Sequence, residues 1–351
     1  MIKKKYITFI SFFFVLLCFK SIEARMFMIA TYNVENFFDL SKNQQEYSAY
    51  VPGSWYGWNK KMLDIKAANI ARVIKDMGPD VIALQEMESE KALVVLQHHL
   101  RQIEADYPFY AIADSKPTAV KCAVLSKFPI VDQKEIVVDM QSARNILKVI
   151  LNIDGNHLIV FVNHWKSKRG PESKRLVYAH ALKKEIDRLS PNADFILTGD
   201  FNSNYNEYVI FKKSVRLNNT RGKTGINHVL KTIKDNNMVS EKLLMAQASN
   251  TYLYNLWLEI DKKNRWSYKF SKYNNSLDHI IISKGLYDNK GIGYVDNSFN
   301  RFCPEYLFLN NRIYHWQRAG NRKGRHLGAG YSDHLPIFAY FSTAPFGRHE
   351  K

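Results

Sequence analysis

Six short polar clusters in this chain each stand beside an apolar run of the length of a β-strand. The first four follow such runs and the last two precede them: Asn33, Glu86, His164, Asp200 with Asn202, Asp278, and Asp333 with His334. A buried strand leaves its sheet where the apolar run ends, and an antiparallel strand begins at the edge where its neighbour ends. All six clusters can therefore share one edge, which restricts the fold to one that brings these strands together.

The segments between the runs predict helices that alternate with strands. Apolar residues recur at helical spacing from Asn59 to Met77, with Asn59 as candidate N-cap and Gly78 with Pro79 as the stop. A strand from Asp80 to Gln85 follows at once. Further helices are predicted from Ser89 to about Ile103 and from Pro171 to Leu189. Helices alternating with buried strands indicate an α/β fold.

One pair of strands is predicted to be antiparallel. The runs Asn145 to Ile153 and His157 to Asn163 flank Asp154 and Gly155, a dipeptide typical of a two-residue hairpin turn. Helical connections give parallel neighbours and a hairpin gives antiparallel ones, so the sheet is predicted to be mixed.

The first 24 residues have the layout of a secretory signal peptide. Lysines at positions 3–5 precede an apolar run from Tyr6 to Phe19, and Ala24 is a small residue at a cleavage position. The run has about 14 residues, fewer than the roughly 20 that span a bilayer. We therefore expect an exported protein, periplasmic or secreted, with one domain in residues 25–345. Cys122 and Cys303 remain after cleavage, and the sequence leaves open whether they are bridged.

The charge of the chain favours polyanionic partners. The 351 residues have a formal net charge of +17, and removal of four lysines and one glutamate with the signal peptide leaves +14. A lysine-rich solvated surface would give the same composition, so the charge supports nucleic acid without proving it. We expect substrate choice to be made in two long irregular segments. They are residues 41–58, with Trp55 and Trp58, and residues 296–330, with several arginines. Residues 205–275 are predicted to be a partly helical elaboration of the same domain.

The residue types in the six clusters are those of a metal-assisted hydrolase. Hydrolysis of a phosphate ester needs neutralisation of charge on the phosphoryl oxygens, an activated water and help for the leaving group. Mg²⁺ prefers oxygen ligands and keeps several waters, so few carboxylates suffice. Glu86 is the candidate metal ligand, with Asn33 and Asp333 beside it. Mn²⁺ or Ca²⁺ could replace Mg²⁺ at such a site.

The other polar clusters supply the remaining chemistry. His334 is the candidate general base, and Asp278 is expected to hold its second ring nitrogen in the required tautomer. Asp200 and Asn202 are expected to share one side of an extended segment, where they orient the water, serve the leaving group or hold a phosphate oxygen. His164 and Arg144 are expected to donate hydrogen bonds to the phosphate.

Six sequence strings resemble those of the endonuclease/exonuclease/phosphatase superfamily and occur in the same order between residue 26 and about residue 342. They are TYNVEN, LQEME, VNHWKS, TGDFNSN, SLDHIIIS and YSDHLPI. The resemblance implies a four-layer α/β sandwich, with two mixed β-sheets packed face to face and helices outside. It also implies a divalent-metal phosphoesterase site at one end of the sandwich.

The resemblance assigns roles to residues of this chain. It implies metal binding by Asn33, Glu86 and Asp333, and a general base formed by His334 with Asp278. Asp200 and Asn202 would position the nucleophile and the scissile phosphate, and His164 would contact the phosphate or act as an acid. Arg144, in the string SARNIL, is similar to the phosphate-contacting arginine of secreted bacterial members.

The chain departs from one branch of the superfamily. Members of the abasic-repair type have a tyrosine before the strand KCAVLSK, where this chain has Val120 and Lys121. The histidine of VNHWKS points instead to the branches that contain pancreatic-type deoxyribonucleases, sphingomyelinases and inositol phosphatases.

Three hypotheses follow. The leading one is a nonspecific nuclease that recognises the phosphate backbone. The second keeps the chemistry but takes a phospholipid, a sphingolipid or an inositol-type phosphate, with exposed Trp55, Tyr56 and Trp58 at a membrane interface. The third is an inactive module that binds polyanions. No protein partner is indicated and a monomer is expected. The sequence leaves open DNA or RNA, internal or terminal cleavage, and one metal or two.

Overall fold

The computed structural model of the protein describes residues 24–343, and the proposed signal peptide lies almost entirely outside this range. The strands are β1 (Met26–Phe37), β2 (Val81–Met87), β3 (Phe109–Ile112), β4 (Lys121–Ser126), β5 (Ile130–Ile136), β6 (Ile146–Ile153), β7 (Asn156–His164), β8 (Phe195–Asp200), β9 (Ile233–Lys234), β10 (Asn237–Met238), β11 (Tyr254–Asn255), β12 (Tyr268–Phe270), β13 (Tyr273–Asn275), β14 (Asp278–Ile282), β15 (Gly293–Tyr294), β16 (Asn300–Arg301), β17 (Phe308–Leu309), β18 (Arg312–Ile313) and β19 (Ile337–Ser342). The α-helices are α1 (Lys60–Met77), α2 (Glu90–Gln102), α3 (Glu172–Ile186), α4 (Glu207–Ile210), α5 (Glu241–Ala246) and α6 (Ala319–Arg322).

Two large sheets contain most of these strands. The first sheet has the order β15-β19-β1-β2-β4-β3, with β16 also paired to β19, and the second has the order β11-β14-β8-β7-β6-β5. In each sheet one pair is parallel, β1 with β2 and β7 with β8, and the other pairs are antiparallel. Both sheets are therefore mixed, as predicted.

The alternation of side chains along the strands explains why the sheets stack. In β1, Phe27 and Ile29 enter the core between the two sheets, whereas Met28, Ala30 and Tyr32 face the opposite side. That opposite side is covered by α1 and α2, and the outer face of the second sheet is covered by α3. Strands buried on both faces need nearly continuous apolar runs, which is the pattern in the sequence. The predicted four-layer α/β sandwich is confirmed.

The helix signals in the sequence act as predicted. The Asn59 side chain accepts a hydrogen bond from the Met62 amide, and Gly78 ends α1 in the left-handed conformation with φ of 71°. Ser89 caps α2 in the same way, through the Ala92 amide. Pro171 occupies the N-cap of α3, one position before the predicted first turn. Among residues 24–343, no helix is long and apolar enough to cross a membrane.

The two long irregular segments, residues 41–58 and 296–330, interlock. His326 accepts a hydrogen bond from the Trp316 indole and contacts the backbone oxygen of Ala49, and its ring packs against those of Tyr50 and Trp58. Burial lowers the pKa of His326 to about 4, so its imidazole is neutral. Trp58 is fully buried, contrary to the expectation that it is exposed, because its ring fills this cluster.

The two cysteines are free. Cys122 is buried in β4, where burial raises the pKa of its thiol to about 12, and Cys303 is exposed. Residues 205–275 contribute Tyr205, Val239 and Trp257 to the core between the sheets.

Gly199 in β8 lies where two parallel strands approach closely. Its φ is +114°, and a Cβ there would be 2.1 Å from the backbone oxygen of Asn163 in β7. A side chain at this position therefore meets backbone that cannot move without separating β7 from β8. The residue that follows is Asp200.

We expect Gly199→Ala to lower the free energy of unfolding by about 3 kcal/mol or more, because both steric overlap and an unfavourable backbone conformation penalise the added methyl group. Gly293→Ala is a matched control, since a Cβ at Gly293 has open space and no positive φ. Urea denaturation of both variants measures the difference. Equal stabilities would contradict this account of the β7–β8 contact.

Candidate active site

The structure brings the six polar clusters to one end of the sandwich. Asn33 and Glu86 lie where β1 and β2 end, and His164 and Asp200 end β7 and β8. Asp278 begins β14 directly opposite Asp200, and Asp333 with His334 precedes β19. The first and second sheets therefore both contribute to one cluster, through the strand directions that the sequence predicted.

Glu86 reaches the cluster through an irregularity in β2. Opposite β4, Gln85 pairs with Cys122 and Met87 pairs with Lys121, so Glu86 is an extra residue in β2, and its φ is +68°. Such a β-bulge re-aims a side chain and is common beside active sites. The Glu86 carboxylate accepts a hydrogen bond of 2.8 Å from the Asn36 amide and one of 3.4 Å from Asn33 Nδ2. Its side chain is partly exposed, so it can bind a ligand.

Asn33 links the two sheets. Its Nδ2 donates to Asp200 Oδ2 at 3.2 Å as well as to Glu86, while its Oδ1 accepts from the Glu35 amide at 3.0 Å. In this orientation Asn33 presents an amide nitrogen to the carboxylates. To act as the predicted metal ligand it must instead offer its oxygen.

His334 and Asp278 form the predicted pair. His334 Nδ1 lies 2.7 Å from Asp278 Oδ2, and both side chains are buried. Ser267 Oγ donates to the same Asp278 oxygen at 2.5 Å, and the ring of Tyr268 packs on the imidazole at a centroid distance of 4.7 Å. The carboxylate and the tyrosine fix the orientation of the ring, with Nδ1 engaged by Asp278.

The protonation of His334 depends on the charge around it. Burial alone would lower its pKa, but the carboxylates of Asp278, Asp200 and Asp333 outweigh burial and raise the pKa to about 10. At neutral pH the imidazole is therefore protonated. Positive charge brought into this acidic cluster would lower the pKa towards the range of a general base.

Asp200 and Asn202 are in contact, but not through the extended segment that the sequence predicted. Strand β8 ends at Asp200, and Asn202 has a φ of +48°, so the two are not on one side of an extended segment. Instead Asp200 Oδ1 accepts from the Asn202 backbone amide at 2.8 Å, as in an Asx turn, and Oδ2 accepts from Asn202 Nδ2 at 3.1 Å. Burial, which outweighs attraction to His334, raises the pKa of Asp200 to about 7.

His164 lies between the carboxylates of Glu86 and Asp200, with its Nε2 3.7 Å from an oxygen of each. Burial, together with the positive charges of Arg144 and His334, holds the pKa of His164 well below its usual value, so the imidazole is neutral. Its buried Nδ1 has no hydrogen-bond partner among residues 24–343.

Arg144 lies beside His164. Its guanidinium donates weakly to the backbone oxygens of His164 and Trp165, at 3.5 and 3.4 Å. The hydroxyls of Tyr47 and Tyr178 are also hydrogen-bonded to Arg144. Tyr47 comes from the irregular segment 41–58 and is 42% exposed, so that segment reaches the candidate site. Nothing in the local sequence marks Tyr47, because its contact depends on the folded loop.

Asp333 belongs to a charged network that the sequence did not indicate. Arg322 contacts Asp333 Oδ2 at 3.2 Å and also pairs with the buried Glu35, whose other oxygen accepts from the Trp316 amide. Attraction to His334 and Arg322 outweighs burial and lowers the pKa of Asp333. Glu35 stands two residues after Asn33 in the string TYNVEN, which was the one local signal for it.

The donor atoms at this end fit a divalent cation that prefers oxygen. Asp200, Asp278 and His334, which are not the predicted ligands, offer two carboxylate oxygens and one ring nitrogen within 4.8 Å of one another. Asp278 Oδ1 is a buried carboxylate oxygen without a partner among the described residues, and Glu86 adds a partly exposed carboxylate. The carboxylate oxygens among these donors suit Mg²⁺, Mn²⁺ or Ca²⁺ better than softer metals.

The sandwich fold and the histidine–carboxylate cluster suit a hydrolase of phosphate esters. The chain belongs to the endonuclease/exonuclease/phosphatase family, whose model matches residues 28–343. No curated protein sequence matches the chain significantly.

Solved structures share the fold at low sequence identity. TDP2 from D. rerio, in a structure complexed with a single-strand DNA product, has a TM-score of 0.54 at 15% identity, with 90% of this chain and 98% of that chain covered. The catalytic domain of human Nocturnin with bound sulfate has a TM-score of 0.51 at 14% identity, with 90% and 94% covered. A family protein from Bacteroides thetaiotaomicron has a TM-score of 0.50 at 16% identity, with 92% and 100% covered.

A second acidic group contains Glu241, Glu259 and Asp296, whose ligand atoms also lie within 4.8 Å of one another. The Tyr294 hydroxyl donates to Glu259. Burial and the charges of Asp296 and Glu241 raise the pKa of Glu259 to about 8, against an opposing effect of the Tyr294 hydrogen bond.

The raised pKa of Glu259 has a defined effect on stability. The unfolded chain loses this proton near pH 4.5 and the folded protein keeps it to about pH 8, so Glu259 reduces stability as the pH rises through that window. We expect Glu259→Gln to remove this loss, so that its free energy of unfolding increases relative to wild type from about pH 5 to about pH 8. Urea denaturation in chelator measures this, with the exposed Glu305→Gln as control. A difference that stays flat with pH would contradict it.

Proposed function

We propose that this chain is an exported, divalent-metal-dependent phosphodiesterase that hydrolyses nucleic acid without sequence specificity. The observation that supports the proposal best is the convergence of the His334–Asp278 pair with Glu86, Asp200 and His164 at one end of the sandwich. The basic net charge, +14 after removal of the proposed signal peptide, favours a polyanionic substrate. TDP2 from D. rerio, which shares the fold, has been solved with a single-strand DNA product.

Each side chain has a role in this proposal. His334, oriented by Asp278, accepts a proton from the attacking water. Asp200 and Asn202 orient that water and the scissile phosphate, and the Arg144 guanidinium donates to the phosphate oxygens beside the neutral His164. Glu86, with Asn33 and Asp333, would hold Mg²⁺, for which Mn²⁺ or Ca²⁺ could substitute. The cation supplies charge neutralisation at the phosphoryl group.

The second candidate function changes the substrate to a phospholipid, a sphingolipid or an inositol-type phosphate. Trp55 supports it, because 66% of this side chain is exposed on the segment that also brings Tyr47 to Arg144. Trp58 gives no support, since it is buried. An inactive polyanion-binding module remains the alternative from another class.

We expect purified residues 25–351 to nick supercoiled plasmid with Mg²⁺ and to stop in chelator. His334→Ala should lower kcat by about 10²- to 10⁴-fold, the usual contribution of a general base. His180→Ala is the matched control, because His180 is exposed on α3. RNA, sphingomyelin and inositol phosphates are assayed in parallel. Turnover of the lipid or inositol substrates alone would contradict the nuclease assignment, and binding without turnover of any substrate would favour the inactive module.

Backbone recognition also predicts strong salt dependence. If lysines and arginines neutralise several phosphates, the affinity for plasmid should fall at least about tenfold between roughly 50 and 200 mM salt, because bound protein displaces condensed counterions. Affinity is measured in chelator to prevent cleavage. The fall should be the same for DNAs of unrelated sequence. Affinity that is independent of salt would contradict recognition through the phosphate backbone.

A further inference from the structure

A short hairpin beside the candidate base ends in two exposed aromatic side chains. Strands β12 and β13 form this hairpin, in which Phe270 pairs directly with Tyr273. Phe270 is 67% exposed and Tyr273 is 63% exposed. Large aromatic side chains are usually buried, so an adjacent exposed pair on a defined strand face requires an explanation.

The base of the hairpin is built into the catalytic cluster. Ser267, just before β12, donates to Asp278 and accepts the backbone N–H of Leu335 at 2.7 Å. Tyr268 packs on the ring of His334 and forms a backbone bridge with it. The hairpin is therefore held in a fixed position relative to the scissile-bond chemistry proposed above.

The aromatic side chains lie on one face. Residues two apart in a strand point the same way, so Tyr268 and Phe270 share a face, and directly paired residues do as well, which adds Tyr273. An aromatic stripe therefore starts at His334 and extends outward by roughly 7 Å per pair of residues. Lys272 adds positive charge at the outer end, with its Nζ 5.5 Å from the Tyr273 ring.

We propose that this stripe, consisting of Tyr268, Phe270 and Tyr273, is a stacking platform for the unpaired bases of a single-stranded nucleic acid that flank the scissile phosphate. Aromatic rings beside cations bind single strands in this way, because every base offers a face for stacking and the lysine attracts the phosphates. Base pairs of a duplex would keep those faces covered. The inference rests on the proposed function and specifies its substrate class as single-stranded nucleic acid.

The polarity of the tip favours a nucleic acid over a membrane surface. Ser271 and Lys272 form the turn, so insertion of the hairpin tip into a bilayer would bury a lysine ammonium, which is costly. Phe270 and Tyr273 share the strand face that includes Tyr268, the residue that packs on His334. A strand of nucleic acid with its scissile phosphate at His334 could follow that face.

The test measures binding in chelator, where cleavage is prevented. Two probes, a fluorescent oligothymidylate of about 12 nucleotides and a duplex of the same length, are titrated with wild type and with Phe270→Ala/Tyr273→Ala. Loss of two stacked rings should weaken single-strand binding at least about tenfold. The duplex should lose less. Phe270→Tyr/Tyr273→Phe keeps both rings and should bind as wild type does. Phe109→Ala, an exposed aromatic residue on β3 at the far end of the first sheet, is the matched control.

A second measurement separates the platform from the proposed function. Bis(p-nitrophenyl) phosphate has no flanking nucleotides, so its metal-dependent hydrolysis by wild type tests the phosphodiesterase alone. On the platform hypothesis, the double alanine variant loses more kcat/KM on a single-stranded oligonucleotide than on this small diester. Equal losses, or oligonucleotide binding within about twofold of wild type, would overturn the platform. If the double alanine variant loses binding to phosphatidylserine vesicles but keeps its binding to the oligonucleotide, the stripe is a membrane-binding surface and the platform is contradicted.

Discussion

The hydrogen bond between His334 and Asp278 joins the two sheets at the end where the chemistry is proposed. His334 precedes a strand of the first sheet and Asp278 begins a strand of the second, so their 2.7 Å contact requires both sheets to end at the same level. Asn33 imposes the same condition when it donates across the sheets to Asp200. Buried polar groups are costly unless paired, so these contacts specify the relative placement of the sheets that the apolar core alone would leave loosely defined.

The same polar cluster concentrates negative charge in a largely buried site. Four acidic side chains, Glu86, Asp200, Asp278 and Asp333, converge on two histidines, and most of these groups are buried. This negative charge is reduced in three ways. Arg322 neutralises part of the charge of Asp333, burial raises the pKa of Asp200, and His334 takes up a proton. A cluster with excess negative charge is suited to receive a cation, and it is placed in a chain whose overall charge is positive.

Much of the architecture was predictable because it depends on local rules. Apolar period, caps at Asn59 and Ser89, and the Asp154–Gly155 turn identify the elements, and strand direction places Glu86, His164 and Asp200 at one edge. The failures involve contacts without a local signal. Asn202 turns back by a left-handed backbone conformation, Arg322 reaches Glu35 across 287 positions of the chain, and Trp58 is buried by a loop folded over it. Family membership agrees with the resemblance, whereas the individual roles of the site residues stay predictions.

The contact between the two irregular segments has a consequence for how such a protein can diversify. His326 bonds to the backbone near Tyr50 and to Trp316, and its ring lies against Trp58, so neither segment keeps its shape without the other. Loops at the rim of a rigid scaffold usually vary independently. Here the two segments share one packed cluster and are expected to change together. Exchange between relatives would have to transfer both segments together, and a chimaera that receives one of them would lose a shared core as well as a binding surface.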